Sequence, residues 1–461
     1  MKTYKILVRR YNSRLCAAMC LAILAGCLPE DAADPKPNPN PDPSPPPLPT
    51  LLCTPFVKTG YADKVSYLPG EAIRVYFEST QATDPCRLTI FGVAGDSAYS
   101  VVSFLPLAPD IPADASENGF DFPVGVQFDA PQLKSGMYLI EKKIPFIIRD
   151  QHPVDVLVVY PSNTANAYAD SGGRSLYSRE NRPPRVSFHR PIPLASLSEV
   201  CLKWFSKLPD FSIAYIADTD MDAYESISGA KVIVIAGHSE YWTRQARLNF
   251  DRFIDEGGDA LILSGNTMWW QVRYSPDRSA MICYKDHDSD PTGDPLLKTI
   301  NWTEPSLQYP ILKSIGAHFP LGGYGRQNDQ GWNGYKIATP ASPLLDGLNL
   351  KKGDIISLPS LEYDGAPLSG YDEEGFPILD RATLNFDNVE LVAFDRGFRA
   401  VETTATFIVF RKTATSGIII NTSTTDWCSP SGMGGAAGDV IKGITRNALT
   451  KLVNDASVFS Q

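Results

Sequence analysis

Four short runs constrain this chain more than anything else in it: Val154–Val159, Phe211–Ile216, Lys231–Ala236 and Ala260–Leu263. Each is apolar at nearly consecutive positions and too short for a buried helix, so each reads as a strand covered on both faces. Helical patterns lie between them, around 194–208, near 220–228 and from about Thr243 to Glu256, where Gly257-Gly258 supplies a stop. Strand and helix in alternation predict a parallel, doubly wound α/β sheet with right-handed crossovers. The stretch after Val159 reads as a loop, and 275–388 is loop-rich. Strands resume at Leu391–Phe394, Thr406–Phe410 and Ile418–Asn421. A last helix begins near Asp439, an N-cap candidate, and places Val440, Ile441, Ile444, Leu449 and Leu452 on one face.

A different rhythm precedes this domain. From about 53 to 150, Ile73, Val75 and Phe77 alternate with Arg74, Tyr76 and Glu78, and Pro69-Gly70 and Ser135-Gly136 mark turns. Period-two alternation without a helical stretch predicts an antiparallel, immunoglobulin-like β-sandwich. It carries no chemistry of its own and reads as a structural or spacer module.

Residues 1–26 read as a processing signal. Five basic residues precede the apolar run Leu15–Gly26, which is too short to span a bilayer and fits a signal core. The run ends Leu24-Ala25-Gly26-Cys27, which looks like a bacterial lipobox with Cys27 as the lipidated first residue. Nine prolines in residues 35–49 then make 27–52 an extended spacer without a core. The expectation is an exported protein tethered to the outer membrane or cell surface by lipid alone. The domains expected are 1–26, 27–52, 53–150 and 151–461.

Charge and cysteines narrow the partners. Loss of the first 26 residues takes the net charge from −10 to −15. A surface that acidic repels phosphate backbones, which argues against nucleic acid. Beyond Cys16, Cys20 and Cys27, five cysteines remain, an odd number. Cys53 and Cys86 share the small domain and are candidates for a bridge, while the pairing of Cys201, Cys283 and Cys428 stays open. No CxxC occurs, which excludes zinc-ribbon and thioredoxin readings.

Ligands of open α/β sheets bind beyond the carboxyl ends of the strands. There the sequence offers Asn163–Tyr177, Asp218-Thr219-Asp220, Gly237–Trp242, Ser264–Arg273 and Thr424–Cys428. A serine hydrolase elbow fits poorly, because Gly237-His-Ser239-Glu-Tyr241 has Tyr where a second Gly is required. A cysteine amidotransferase would need Cys where Ser264-Gly265-Asn266 stands, so that route is closed.

Asn163–Tyr177, Gly-His-Ser-Glu-Tyr-Trp at 237–242, Ser-Gly-Asn-Thr-x-Trp-Trp at 264–270 and Thr424–Trp427 together resemble the C-terminal domain of the N,N-dimethylformamidase large (beta) subunit. The resemblance covers roughly 150 to 455, with the preceding β-sandwich also family-like, and implies a class I glutamine-amidotransferase-like (flavodoxin-like) fold. It also implies mononuclear non-haem Fe3+ held by Tyr168, Tyr177 and Glu240. Hard oxygen donors suit such an ion, and only a strongly charged cation would hold two phenolates at neutral pH. His238 and Asn266 would then move protons or steady an oxyanion beside Glu240. The implied reaction is hydrolysis of a small linear amide. The family's separate small subunit is not evident in this chain, and a homo-oligomer stays open.

Each residue also has an ordinary structural explanation. A loop Tyr is commonly a packing residue, and Glu240, Asp218 and Asp220 could cap helices. Trp242, Trp269 and Trp270 could be core or pocket wall. The competing function is a non-catalytic surface module that binds a small ligand or glycan in an aromatic-lined pocket.

Overall fold

The computed structural model describes residues 48–107, 109–325 and 334–460. The signal segment, Cys27 and the proline spacer up to residue 47 lie outside the described residues.

Alternation in the N-terminal part folds as two sheets. The strands are β1 (Val57–Ala62), β2 (Ser66–Tyr67), β3 (Ala72–Ser79), β4 (Cys86–Gly92), β5 (Ser97–Ser103), β6 (Val124–Asp129), β7 (Gly136–Ile140) and β8 (Ile144–Ile148). They pair as β1-β3-β6 and β2-β8-β7-β4-β5. Ile73, Val75 and Phe77 enter the core between the sheets, while Arg74 between them is exposed. Pairing is antiparallel except between β2 and β8. A one-turn helix, α1 (Ala115–Asn118), interrupts the strands; four residues are too few for periodicity to reveal. Cys53 and Cys86 are joined by a disulfide with Cα atoms 5.2 Å apart. The chain is already engaged before Cys53, since Arg87 N–H donates to Leu51 O at 2.7 Å.

The second half contains β9 (Val154–Tyr160), α2 (Ser162–Tyr168), β10 (Arg185–Ser187), α3 (Ser196–Phe205), β11 (Ile213–Ala217), β12 (Ala230–Ala236), β13 (Tyr241–Thr243), α4 (Arg244–Asp255), β14 (Asp259–Leu263), β15 (Trp270–Tyr274) and β16 (Ala280–Ile282). The loop-rich stretch contributes β17 (Gly323–Tyr324), β18 (Gly334–Ile337), β19 (Ile355–Ser357), β20 (Glu362–Gly365), β21 (Leu368–Tyr371) and β22 (Pro377–Leu379). A long hairpin, β23 (Asn388–Arg399) and β24 (Val401–Arg411), leads to β25 (Ile418–Asn421) and α5 (Gly438–Val453).

The apolar runs form the parallel part of one large sheet ordered β11-β9-β12-β14-β25, and β24-β23-β17-β20 continue it antiparallel. The sheet is therefore mixed, not parallel throughout. Residue 400 alone joins β23 to β24, and six residues join β24 to β25, too few for a crossover. Within each parallel strand the side chains divide by parity. Val156, Val158, Val232 and Val234 share a core with Cys201, Leu202, Ile441 and Ile444 of α3 and α5. Leu157, Val159, Ile233 and Ile235 share another with Phe250, Phe253 and Ile254 of α4.

Three local expectations change. The stretch after β9 holds a helix, α2. The polar helix near 220–228 is two 3-10 turns, Asp218–Asp222 and Tyr224–Ser226. Asp439 lies inside the first turn of α5, one residue past its start, where it complements the helix dipole without capping.

Residues 48–461 form one compact unit. The core under α3 and α5 also takes in Val93, Met137 and Ile147 of the sandwich. Tyr215 N–H donates to Ser135 Oγ at 2.9 Å, Ser66 Oγ donates to Asp220 at 2.8 Å, and Arg149 pairs with Asp220 at 3.2 Å. Residue 150 marks a change of architecture without a break in packing.

Candidate active site

Parallel pairing brings the carboxyl ends of β9, β11, β12, β14 and β25 to one edge. β20 reaches the same edge, where Tyr363 bridges Thr424. Beyond β12 the chain turns at Gly237 with φ +78°, and a Cβ there would lie 2.2 Å from Ser198 Oγ. Only glycine fits. That turn aims His238, Ser239 and Glu240 across the edge. Beyond β14, Gly265 lets the backbone pass Thr425, whose N a Cβ would approach to 2.6 Å, and Asn266 follows with φ +47°.

Glu240 is the centre of the arrangement. It is buried, with 2% exposure, and its backbone N–H donates to Thr164 Oγ1 of α2 at 2.9 Å. Tyr177 OH donates to its carboxylate at 2.6 and 2.8 Å, and Tyr168 OH donates to it at 3.0 Å. The two phenol rings stack with centroids 4.1 Å apart. They are 44% and 41% exposed, so the centre opens to solvent on their side. His238 Nδ1 faces Gly265 O at 3.0 Å; a carbonyl only accepts, so that nitrogen carries the proton. Its Nε2 therefore turns inward, 3.2 Å from Tyr168 OH, 3.3 Å from Glu240 and 3.8 Å from Glu362. Asn266 Nδ2 donates to Glu362 at 3.0 Å, while its Oδ1 is buried without a hydrogen-bond partner among the described residues.

The charges follow from burial and proximity. Burial alone would lower the His238 pKa, but Glu240 and Glu362 override it and hold the imidazole up at about 9. Burial alone would raise Glu240, yet His238 and then Lys285 keep its carboxyl below the usual range. Burial raises Glu362, with the neighbouring Glu240 charge adding to it. Asp364, which accepts Thr267 N–H at 3.1 Å, is pushed up by burial to about 7. Burial and the Glu240 charge both raise Tyr168 and Tyr177, so each phenol keeps its proton and donates it to Glu240.

The donor set suits a hard cation. Oxygen ligands about 2.0–2.2 Å from a shared ion sit roughly 3 Å from each other, the spacing that each phenol oxygen keeps from the Glu240 carboxylate. A trivalent charge would favour the phenolates that burial now disfavours. Among the described residues no group of three or more His, Cys, Asp or Glu side chains is placed to hold a metal ion.

The edge thus gathers Tyr168, Tyr177, His238, Glu240 and Asn266 in one place. It gives other roles to several neighbours. Thr243, and not Glu240, caps α4, by accepting Ala246 N–H at 3.0 Å. Asp218 accepts the Asn163 N–H at the start of α2 at 3.1 Å, and Asp220 ties to Ser66 and Arg149. Ser239 is buried and accepts from Trp242 Nε1 at 3.0 Å. Trp242 is core; Trp269 and Trp270 are half-buried. Cys201, Cys283 and Cys428 are free and buried.

Glu362 and Lys285 belong to the site and were not foreseen. Lys285 Nζ lies 3.9 Å over the Tyr177 ring and donates to Leu176 O at 3.2 Å. Burial lowers its pKa. Both residues come from the loop-rich stretch, where no periodicity marks a strand end; the only available signal was a charged residue beside aromatic ones.

A family model described as N,N-dimethylformamidase beta subunit-like, C-terminal, matches residues 98–432. The match starts inside β5, so it takes in part of the sandwich as well as the α/β part, and it stops before α5, short of residue 455. A search of curated proteins finds no match. A solved structure described as a ThuA-like protein from Bacteroides uniformis is similar over 66% of this chain and 91% of its own, at 13% identity and a TM-score of 0.33. That likeness is too slight to argue from. The family match spans well over half of the sequence, and the chain belongs to the N,N-dimethylformamidase beta subunit-like, C-terminal family.

Proposed function

We propose that this protein is a metal-dependent amide hydrolase that cleaves a C–N bond. The observation that carries the reading is the convergence of Tyr168, Tyr177 and Glu240 on one point, with His238 Nε2 3.3 Å from Glu240. Tyr168, Tyr177 and Glu240 would hold a ferric ion, which when bound supplies positive charge to polarise a carbonyl and acidify water. The remaining work belongs to the chain. Glu362, raised by burial, takes a proton from water as its oxygen attacks the amide carbon. The second N–H of Asn266 Nδ2 steadies the oxygen of the attacked carbonyl, since the first is committed to Glu362. His238 Nε2 gives a proton to the departing nitrogen. Water thus adds OH to carbon and H to nitrogen, yielding acid and amine.

The parallel order β11-β9-β12-β14-β25 supports a glutamine-amidotransferase-like assignment of the α/β part, and the two packed sheets support an immunoglobulin-like one for the sandwich. Export and lipid attachment at Cys27 complete the reading, on the strength of the lipobox and the proline spacer. Among the described residues no helix is long and apolar enough to cross a membrane. A processed N-terminus elsewhere than Cys27 would remove the anchor.

The half-exposed Tyr168–Tyr177 stack favours one other reading, a surface module that binds a small ligand or glycan. Screening the purified chain against formamides and larger amides, with amine release as readout, separates the two. Release that disappears in Glu240→Gln supports the hydrolase. Bound metal with no release from any amide supports the binding module.

A further inference from the structure

The centre is not closed around a small substrate. A cleft of about 470 Å³ opens directly beside it, and Tyr168 and His238, both in contact with Glu240, form its inner wall. Its other walls come from α2 and from the segment leading into α3: Ala165, Ala169, Pro193, Leu194 and Leu197. These side chains are apolar, and Thr164 and Ser196 add neutral hydroxyls to the lining. Among the described residues, the exposed Asp170 and His238, which already faces two carboxylates, are the ionisable groups along it besides the Tyr168 phenol. Among the described residues no lysine or arginine lines the cleft, and the exposed Asp170 would repel an anion. A volume of this size accommodates a group far larger than a formyl or a methyl.

Building on the hydrolase reading, we propose that this cleft is the subsite for an uncharged, apolar substituent of the amide. The substrates are then amides carrying an extended hydrocarbon group, hydrolysed by addition of water across the C–N bond to acid and amine. Apolar surface on the substrate is buried against Ala165, Leu194 and Leu197 while the carbonyl lies beside His238.

Two measurements on the full chain test this. In the first, calorimetry follows binding of straight-chain 2-alkanones, whose carbonyl cannot be hydrolysed. Affinity should rise about fourfold per added methylene until the cleft is filled. Ala165→Phe, with an unchanged circular dichroism spectrum, should flatten the series, and Leu197→Ala should lower its slope. A terminal carboxylate on the chain should cancel the gain. In the second, amine release from acyl-lengthened and N-alkyl-lengthened amides should show the same rise in kcat/KM in at least one series. Affinity independent of length, or a slope that survives Ala165→Phe, would overturn the subsite. Length-dependent ketone binding with no amine release from any amide would overturn the hydrolase reading instead and leave the cleft as an apolar ligand site.

Discussion

Glu240 carries its charge where burial opposes it, and the geometry around it shows how that charge is kept. Two phenols and the His238 imidazole surround a carboxylate whose own backbone is tied to α2. Removing one partner of a buried charge costs more than the pair contributes, because the other is left uncompensated. Residues of this kind were legible in the sequence when they followed a strand end in a contiguous motif, as His238, Glu240 and Asn266 do. Glu362 was not, because nothing in sequence places β20 against the segment that follows β25. Gly237 tests the scaffold at this scale. Its φ is +78°, and an added methyl would stand 2.2 Å from Ser198 Oγ. Gly237→Ala should therefore destabilise the fold by roughly 2 kcal/mol or more and displace His238. Chemical denaturation of the variant measures the loss. An unchanged midpoint would mean that this turn does not set the site.

At the scale of elements, α2 is the piece that the sequence concealed. Its seven residues are too few to show a clear helical period, and its Asn and Ser content reads as loop. Its start is held from another strand. Asp218, at the end of β11, accepts from Ser162 Oγ and from Asn163 N–H, so β11 fixes the helix that carries Tyr168. Burial pushes the Asp218 pKa up to about 8, against hydrogen bonds that pull it down. A raised acid favours folding in its protonated form, so its contribution is fully present below about pH 4 and is lost as pH rises toward 8. Each pKa unit is worth about 1.4 kcal/mol. Asp218→Asn removes the titration, so the stability of wild type relative to the variant should fall steadily between pH 4 and 8. Parallel pH-stability curves over that window would refute the assignment. The parallel strands, by contrast, were legible almost to the residue, since fully covered strands leave unbroken apolar runs. Of the antiparallel extension, the cores of β23 and β24 are legible as apolar runs but not their hairpin pairing, and β17 to β20 leave no pattern because they are two to four residues long.

For the molecule as a whole, the change of rhythm at residue 150 was visible, but the shared core across it was not. Val93, Met137 and Ile147 are ordinary sandwich residues in sequence, and only the three-dimensional packing puts them with Val156 and Tyr215. Arg149 and Asp220 add a half-buried ion pair at the same junction. Residues 48–461 should therefore unfold as one unit, with calorimetric and van't Hoff enthalpies in agreement. Two resolved heat-absorption peaks would contradict a common core. That common frame matters for function because the strand ends must stay in register for seven side chains from five segments to meet.

The proposal that Tyr168, Tyr177 and Glu240 hold iron is tested most directly by measuring iron content and visible absorption of the full chain expressed with iron. The account predicts a single iron ion per chain and a tyrosinate-to-iron charge-transfer band. Both should be lost in Glu240→Gln, and His238→Ala should keep the metal and the colour while slowing amine release. A wild-type protein without iron, or Glu240→Gln with full occupancy, would contradict it.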